Sequence, residues 1–160
     1  MEHLLTDSDS THRLGNELAQ PLIMNIKKAK HYFIPSILML HGNLGAGKTC
    51  ITQGLAKGIG ISEPITSPTF TLVQHYQGKR LGDRIKLVHI DLYRLDQKHL
   101  ADELFEQEKD EANTIQTIIV IEWPERLSFV PKDSWNIELT IESKGRRVLI
   151  IPPMIKASAR

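Results

Sequence analysis

Apolar residues along the chain gather into short runs, separated by stretches rich in glycine, proline and hydroxyl side chains. Residues 3–6 are long enough for one strand. Leu14, Leu18 and Leu22 then recur at the spacing of a helix face. That helix follows Asp7-Ser8-Asp9-Ser10-Thr11, from which Ser10 or Thr11 is expected to cap it. Pro21 is expected to kink or end it, because proline has no N–H for the preceding turn. Lys27, Lys28 and Lys30 lie among apolar residues, a pattern read as a solvated amphipathic stretch rather than a binding patch.

A buried strand is expected at 37–40, entered after Pro35, and a helix at 48–57 with Ile51 and Leu55 inward. Gly58 and Gly60 supply its stop. The stretch 62–70 is a stiff loop carrying Pro64 and Pro68. Strands are expected at 69–76, turning within 77–82, and at 85–90. Residues 97–111 read as a helix with Leu100, Leu104 and Phe105 inward. From Asp96 to Glu111 there are seven carboxylates and two lysines, a formal −5, expected to be a solvated face. The β-branched run 117–121 suits a strand buried on both faces. Residues 137–143 and 146–151 flank Lys144-Gly145 as a hairpin. Early alternation of strand and helix, then a hairpin, predicts a three-layer α/β fold, its central sheet mostly parallel with antiparallel strands at the edges.

The length of 160 residues suits a single domain spanning 1–160. A formal net charge of +1 excludes a strongly basic nucleic-acid coat as the dominant design. The N-terminus has no basic segment followed by an apolar core, and no apolar run approaches the ~20 residues that span a bilayer. The one cysteine, Cys50, excludes an intrachain disulfide. The expectation is a soluble cytoplasmic protein with no membrane association. Cys50 sits at a helix N-terminus, which can activate a thiol, but simple packing is the preferred reading.

The chemistry begins where the apolar run 37–41 meets Gly42-Asn-Leu-Gly-Ala-Gly47-Lys48-Thr49. This is the GxxxxGK[ST] phosphate-binding loop in its strand–loop–helix setting, and it makes the expected fold that of a P-loop NTPase. Its amides and the helix N-terminus favour an anion. Lys48 adds a point charge for the β- and γ-phosphates, and Thr49 a hydroxyl for Mg²⁺. Ligands of open α/β sheets sit beyond the carboxyl ends of the strands. Asp91 and Glu122 each end an apolar run there, and two such acids suit Mg²⁺–nucleotide chemistry. Thr66, Ser67 and Thr69 lie where nucleotide switches place a sensing hydroxyl, though a plain connecting loop fits them too. Trp123 fits a cover over the site or over a partner surface, and equally a partly buried packing residue. No guanine-reading Asn/Thr-Lys-x-Asp motif is found, which favours ATP over GTP. A small-molecule or nucleotide kinase and a nucleotide-gated binding module stay open as alternatives to an ATPase.

Four motifs in order narrow the choice: GlyAsnLeuGlyAlaGlyLysThr, ThrSerProThrPheThrLeuVal, HisIleAspLeuTyrArgLeu and IleGluTrpProGluArg. Together they resemble the bacterial TsaE (YjeE) ATPases across about residues 8–127. That resemblance implies the ATPase of the machinery forming N6-threonylcarbamoyladenosine at position 37 of ANN-decoding tRNAs. TsaB and TsaD homologues would be its partners, with tRNA contacted through the complex. It implies ATP and Mg²⁺ as cofactors, and slow hydrolysis by the isolated chain. By the same resemblance Leu44, Gly45, Ala46, Gly47, Lys48 and Thr49 would cradle the phosphates. Thr49 and Glu122 would hold Mg²⁺, and Asp91 would orient metal or attacking water. Thr69 matches a switch-like position, while Ser8 and Arg146 align with contacts to the nucleotide away from its phosphates. Asn43 stands where that family usually has Asp, and Cys50 where Thr is common.

Overall fold

The computed structural model describes residues 1–154; residues 155–160, inside the expected single-domain span, lie outside the described residues. Its core is a seven-stranded sheet in the order β1-β9-β8-β4-β7-β6-β5. The strands are β1 (Glu2–Leu5), β4 (Ser36–His41), β5 (Val73–Arg80), β6 (Asp83–Asp91), β7 (Thr117–Glu122), β8 (Trp135–Glu142) and β9 (Gly145–Ile151). A separate short pair joins β2 (Lys27–Lys28) to β3 (Phe33–Ile34), so the lysine-bearing stretch is partly strand. The four central strands, β8, β4, β7 and β6, run parallel, whereas β5, β9 and β1 add antiparallel at the sides. The expected hairpin is β8–β9, but β8 also pairs in parallel with β4 and so lies inside the sheet.

Period-2 alternation splits the strands into two buried faces. Leu38, Leu40, Leu87, Ile118, Val120 and Ile137 face one cluster, which takes in α1 (Ser8–Glu17), α2 (Ala19–Asn25) and α3 (Lys48–Gly58). Ile37, Met39, Val88, Ile90, Ile119 and Ile121 face the other, against Ala101 and Phe105 of α4 (Lys98–Glu111). These are the three expected layers. Burial of both faces of β7 explains the unbroken β-branched, apolar run 118–121 between Thr117 and Glu122.

Three local expectations are corrected. The cap of α1 is Asp7, not Ser10 or Thr11: its Oδ1 accepts from the Ser10 N–H at 2.7 Å. Ser10 occupies the third helical position instead and its hydroxyl accepts from the Asp7 N–H, closing a capping box. The helix breaks at Leu18, three residues before Pro21, which sits in the first turn of α2. Proline lacks the N–H that would reach back to Glu17, so its effect falls one turn upstream. Strand β5 starts at Val73 rather than residue 69 and continues to Arg80, turning on Leu81 and Gly82, both at positive φ. Residues 69–72 remain loop: Leu72 donates to the Pro68 carbonyl at 2.7 Å and adopts φ 66°.

Helices α1 and α3 pack backbone to backbone. A Cβ on Gly15 would lie 2.2 Å from the Ile51 carbonyl oxygen, and one on Gly54 2.1 Å from that of His12. No larger residue fits either position without separating the helices.

Candidate functional site

The strand–loop–helix unit forms as its residues dictate. Strand β4 delivers the chain to Gly42, and Gly47 at φ 107° turns it into α3. A residue with a Cβ is strained at that angle, and its Cβ would meet the Arg146 side chain at 3.3 Å. The unpaired amides at the head of α3 thereby face the ends of β4, β6 and β7.

Parallel pairing puts Asp91 of β6 directly opposite Glu122 of β7. Both are buried, at 2% and 3% exposure, a costly place for carboxylates without donors or cations. The donors are present. Glu122 Oε1 accepts from Thr49 Oγ1 at 2.9 Å and from His89 Nε2 at 2.8 Å. Asp91 Oδ2 accepts from Thr69 Oγ1 at 2.9 Å and from Ser67 Oγ at 3.3 Å, and Oδ1 from the Tyr93 N–H at 2.9 Å. Ser67 and Thr69 hydroxyls also meet at 2.7 Å.

Lys48 reaches across the loop. Its Nζ donates to the carbonyls of Gly42 at 2.6 Å and Asn43 at 3.0 Å, and lies 4.5 Å from the centroid of Trp123. Burial pushes the ammonium below the ordinary lysine value, while the carboxylates of Glu122, Asp91 and Glu125 pull it back up. Trp123 is held in the left-handed region, φ 59° and ψ 49°, with its ring tilted against Tyr93 at 4.9 Å. A non-glycine residue in that conformation is sustained by its surroundings, here the Tyr93 contact and the turn at Pro124–Arg126. Trp123 therefore both packs and covers the loop lysine.

The expected residues meet around one pocket of about 210 Å³. Leu44, Gly45, Gly47, Lys48, Thr49, Thr69, Asp91 and Glu122 all line it, joined by Cys50, Ser67, Tyr93 and Trp123. Four expected residues stand outside the lining. Thr66 is turned to β5, its hydroxyl donating to Gln74 Oε1 at 3.3 Å. The Ala46 amide closes a turn on the Asn43 carbonyl at 3.0 Å, and its side chain is fully buried. Arg146 lies along the outer side of the loop, with Nη2 3.4 Å from the Gly45 carbonyl oxygen. Ser8 opens α1, and its carbonyl accepts from the Cys50 thiol at 3.5 Å. Burial raises the Cys50 thiol above its ordinary value despite the opposing pull of Arg146, so the thiol is not activated. A larger groove of about 850 Å³ lies between α1, α3 and residues 61–65, but contains neither the phosphate loop nor the paired acids.

Among the described residues no three His, Cys, Asp or Glu side chains converge as a metal-binding group. The donors are instead hard oxygens, a threonine hydroxyl and two carboxylates, and this set fits Mg²⁺, which keeps several of its own waters. It does not fit a cation that needs a full protein cage.

His89 was assigned no role from the sequence. It is wholly buried, and shares the α3-facing side of β6 with Asp91 two residues on. The available signal was a polar residue interrupting the apolar run LeuValHisIle.

The family model described as threonylcarbamoyl adenosine biosynthesis protein TsaE matches residues 5–149. A Nostoc protein named tRNA threonylcarbamoyladenosine biosynthesis protein TsaE is 39% identical over 93% of this chain and 83% of its own length. A protein of the same name from Treponema pallidum is 40% identical over 72% of this chain and 81% of its own. The crystal structure of YdiB from Bacillus subtilis superposes with a TM-score of 0.64, covering 96% of this chain and 86% of that one at 23% identity. That likeness supports the P-loop fold already described. With the family model spanning nearly the whole sheet and relatives near 40% identity over most of the chain, this protein belongs to the TsaE family.

Proposed function

We propose that this chain is a Mg²⁺-dependent ATPase serving the formation of threonylcarbamoyladenosine at position 37 of ANN-decoding tRNAs, acting as a single domain in the cytoplasm. The observation that carries the reading is the 2.9 Å hydrogen bond from Thr49 at the head of α3 to Glu122 at the end of β7. It is the P-loop hydroxyl joined to the strand-end acid, the pair that secures Mg²⁺ beside a nucleotide in P-loop enzymes. Relatives whose names place them in tRNA threonylcarbamoyladenosine biosynthesis support the process.

Bound Mg²⁺ supplies charge neutralisation for the β- and γ-phosphates. The chain's part is positioning. Gly45, Gly47 and the first amides of α3 wrap the phosphates, and Lys48 releases the Gly42 and Asn43 carbonyls to take an anionic oxygen. Thr49 and Glu122 would hold the metal, and Asp91 would orient metal or attacking water. Thr69, bonded to Asp91, is the group through which the 62–72 loop senses the γ-phosphate. Arg146 and Ser8 flank the loop on the side left for the rest of the nucleotide. No arginine lines the pocket among the described residues, which accords with slow hydrolysis until partners, TsaB and TsaD homologues, complete the site. The role proposed is to drive turnover of that transferase complex, with tRNA contacted through it.

The test is reconstitution of tRNA modification with TsaB and TsaD homologues, scoring turnovers per complex alongside phosphate release. Lys48→Ala and Glu122→Ala are each expected to abolish both. Wild-type rates in Glu122→Ala would overturn the assignment, and a phosphorylated acceptor in place of free phosphate would make the chain a kinase.

A further inference from the structure

Histidine at position 89 is an expensive choice. Its neighbours on β6 are fully buried Val88 and Ile90, the ring is itself inaccessible to water, and Nδ1 has no hydrogen-bond partner among the described residues. A leucine would fill such a position without leaving a buried polar atom unsatisfied. What the imidazole adds is one bond, Nε2 to Glu122 Oε1 at 2.8 Å. The proton must sit on Nε2 for that contact to attract, since a bare nitrogen lone pair would face a carboxylate oxygen.

We infer that His89 is a positioning residue for Glu122, and through it for the cation of the nucleotide complex; this rests on the ATPase reading above. Two donors converge on Oε1, Thr49 from α3 and His89 from β6. On the ATPase reading Thr49 would also serve the cation, so its hydroxyl would be shared. His89 has no second task. It lies behind the carboxylate, away from the pocket that Glu122 lines, and keeps the acid in one rotamer whichever way Thr49 turns. With Oε1 held, the carboxylate's remaining acceptor capacity is directed at the pocket. Removing groups that orient metal ligands from behind in this way typically costs about 10–100-fold in metal affinity or activity.

The experiment compares wild type, His89→Leu and His89→Gln as purified full-length chains. His89→Leu keeps the apolar packing and loses the donor. His89→Gln restores an N–H on a side chain of similar reach. Binding of ATPγS is titrated at fixed Mg²⁺ and without it, the Mg²⁺ midpoint of the complex is measured, and kcat and KM for ATP follow. The expected result for His89→Leu is a Mg²⁺ midpoint raised roughly tenfold or more and a kcat lowered about 10–100-fold. Metal-free ATPγS binding and KM for ATP should stay within about twofold, and His89→Gln should recover most of the loss. An unchanged Mg²⁺ midpoint in His89→Leu would overturn the inference. Equal losses in the Leu and Gln variants would also overturn it, reducing His89 to packing. If His89→Leu does not fold, His89→Asn, whose amide stops short of Oε1, takes its place with the same expected and overturning midpoints. Wild-type protein whose nucleotide binding and hydrolysis ignore Mg²⁺ would defeat the ATPase reading itself, an outcome distinct from a silent His89 variant.

Discussion

Glu122 and Asp91 occupy the same level of adjacent parallel strands, both nearly inaccessible to solvent, yet they are held in opposite ways. Glu122 is gripped by side chains from two regular elements, Thr49 on α3 and His89 on β6. Asp91 is gripped by hydroxyls of an irregular loop, Ser67 and Thr69, together with the Tyr93 amide in the turn that follows it. Regular elements packed on both faces open only with much of the fold, whereas a loop joined by a few hydrogen bonds opens locally. One acid is therefore a fixed reference, and the other shares its state with a segment able to move. A site built this way can hold its cation steadily while one wall responds to the nucleotide.

The sharpest attempt to break this contrast substitutes each acid by its amide. Glu122→Gln is expected to lower ATP hydrolysis on the order of 10²–10³-fold and to weaken Mg²⁺-dependent nucleotide binding with it. Asp91→Asn should lower hydrolysis comparably but leave equilibrium Mg²⁺–nucleotide binding within a few-fold. Calorimetry alongside steady-state phosphate release separates the two, and identical behaviour in both assays would erase the distinction.

A smaller effect is expected one step out on the mobile side. Thr69→Val removes the donor to Asp91 at nearly constant volume, and hydrolysis should fall roughly tenfold, with Thr69→Ser close to wild type. Protection of the 62–72 amides in hydrogen exchange should rise on nucleotide binding in wild type and not in Thr69→Val. Equal protection in both would detach the loop from the site.

The smallest effect lies beneath the fixed side, where Asp7 caps α1. The Ser10 N–H, and then the Ser10 hydroxyl, hold the Asp7 carboxyl below its ordinary value. A folded-state value below the unfolded one means that the unfolded chain binds the extra proton first. The contribution is thus present above about pH 4 and lost as pH falls through the lowered value. Asp7→Ala should melt a few degrees below wild type at pH 7, and the gap should close on acidification below about pH 4. A gap independent of pH would remove the charge from the explanation.

How much of this was legible in the chain divides along the same line. The phosphate loop, the central strands and the acids that end two of them follow from local pattern, because buried parallel strands demand continuous apolar residues and their ends are where polarity returns. His89 heads the HisIleAspLeuTyrArgLeu motif, but its role there is illegible for the converse reason: only the pairing of β6 with β7 shows that its ring meets Glu122. The placement of β8 beside β4, and of β1 outside β9, is likewise a matter of long-range pairing that no local pattern encodes. The loop before β5 has strand residue types, Thr69–Phe70–Thr71–Leu72, and so resembles a strand in local pattern. The Pro68 carbonyl takes the Leu72 amide instead. Arg146 was found through resemblance alone, since it reaches the loop from a strand about a hundred residues away.

The glycine seam between α1 and α3 has a mechanical meaning as well. With Gly15 and Gly54 letting the two backbones touch, no flexible side chains lie between the helices there to absorb a displacement. The separation of the two helices at Gly15 and Gly54 is set by the thickness of the main chain, much as a bolted joint fixes two plates. The fixed side of the site thus extends through this seam, with α1 and α3 standing as one unit behind the phosphate loop.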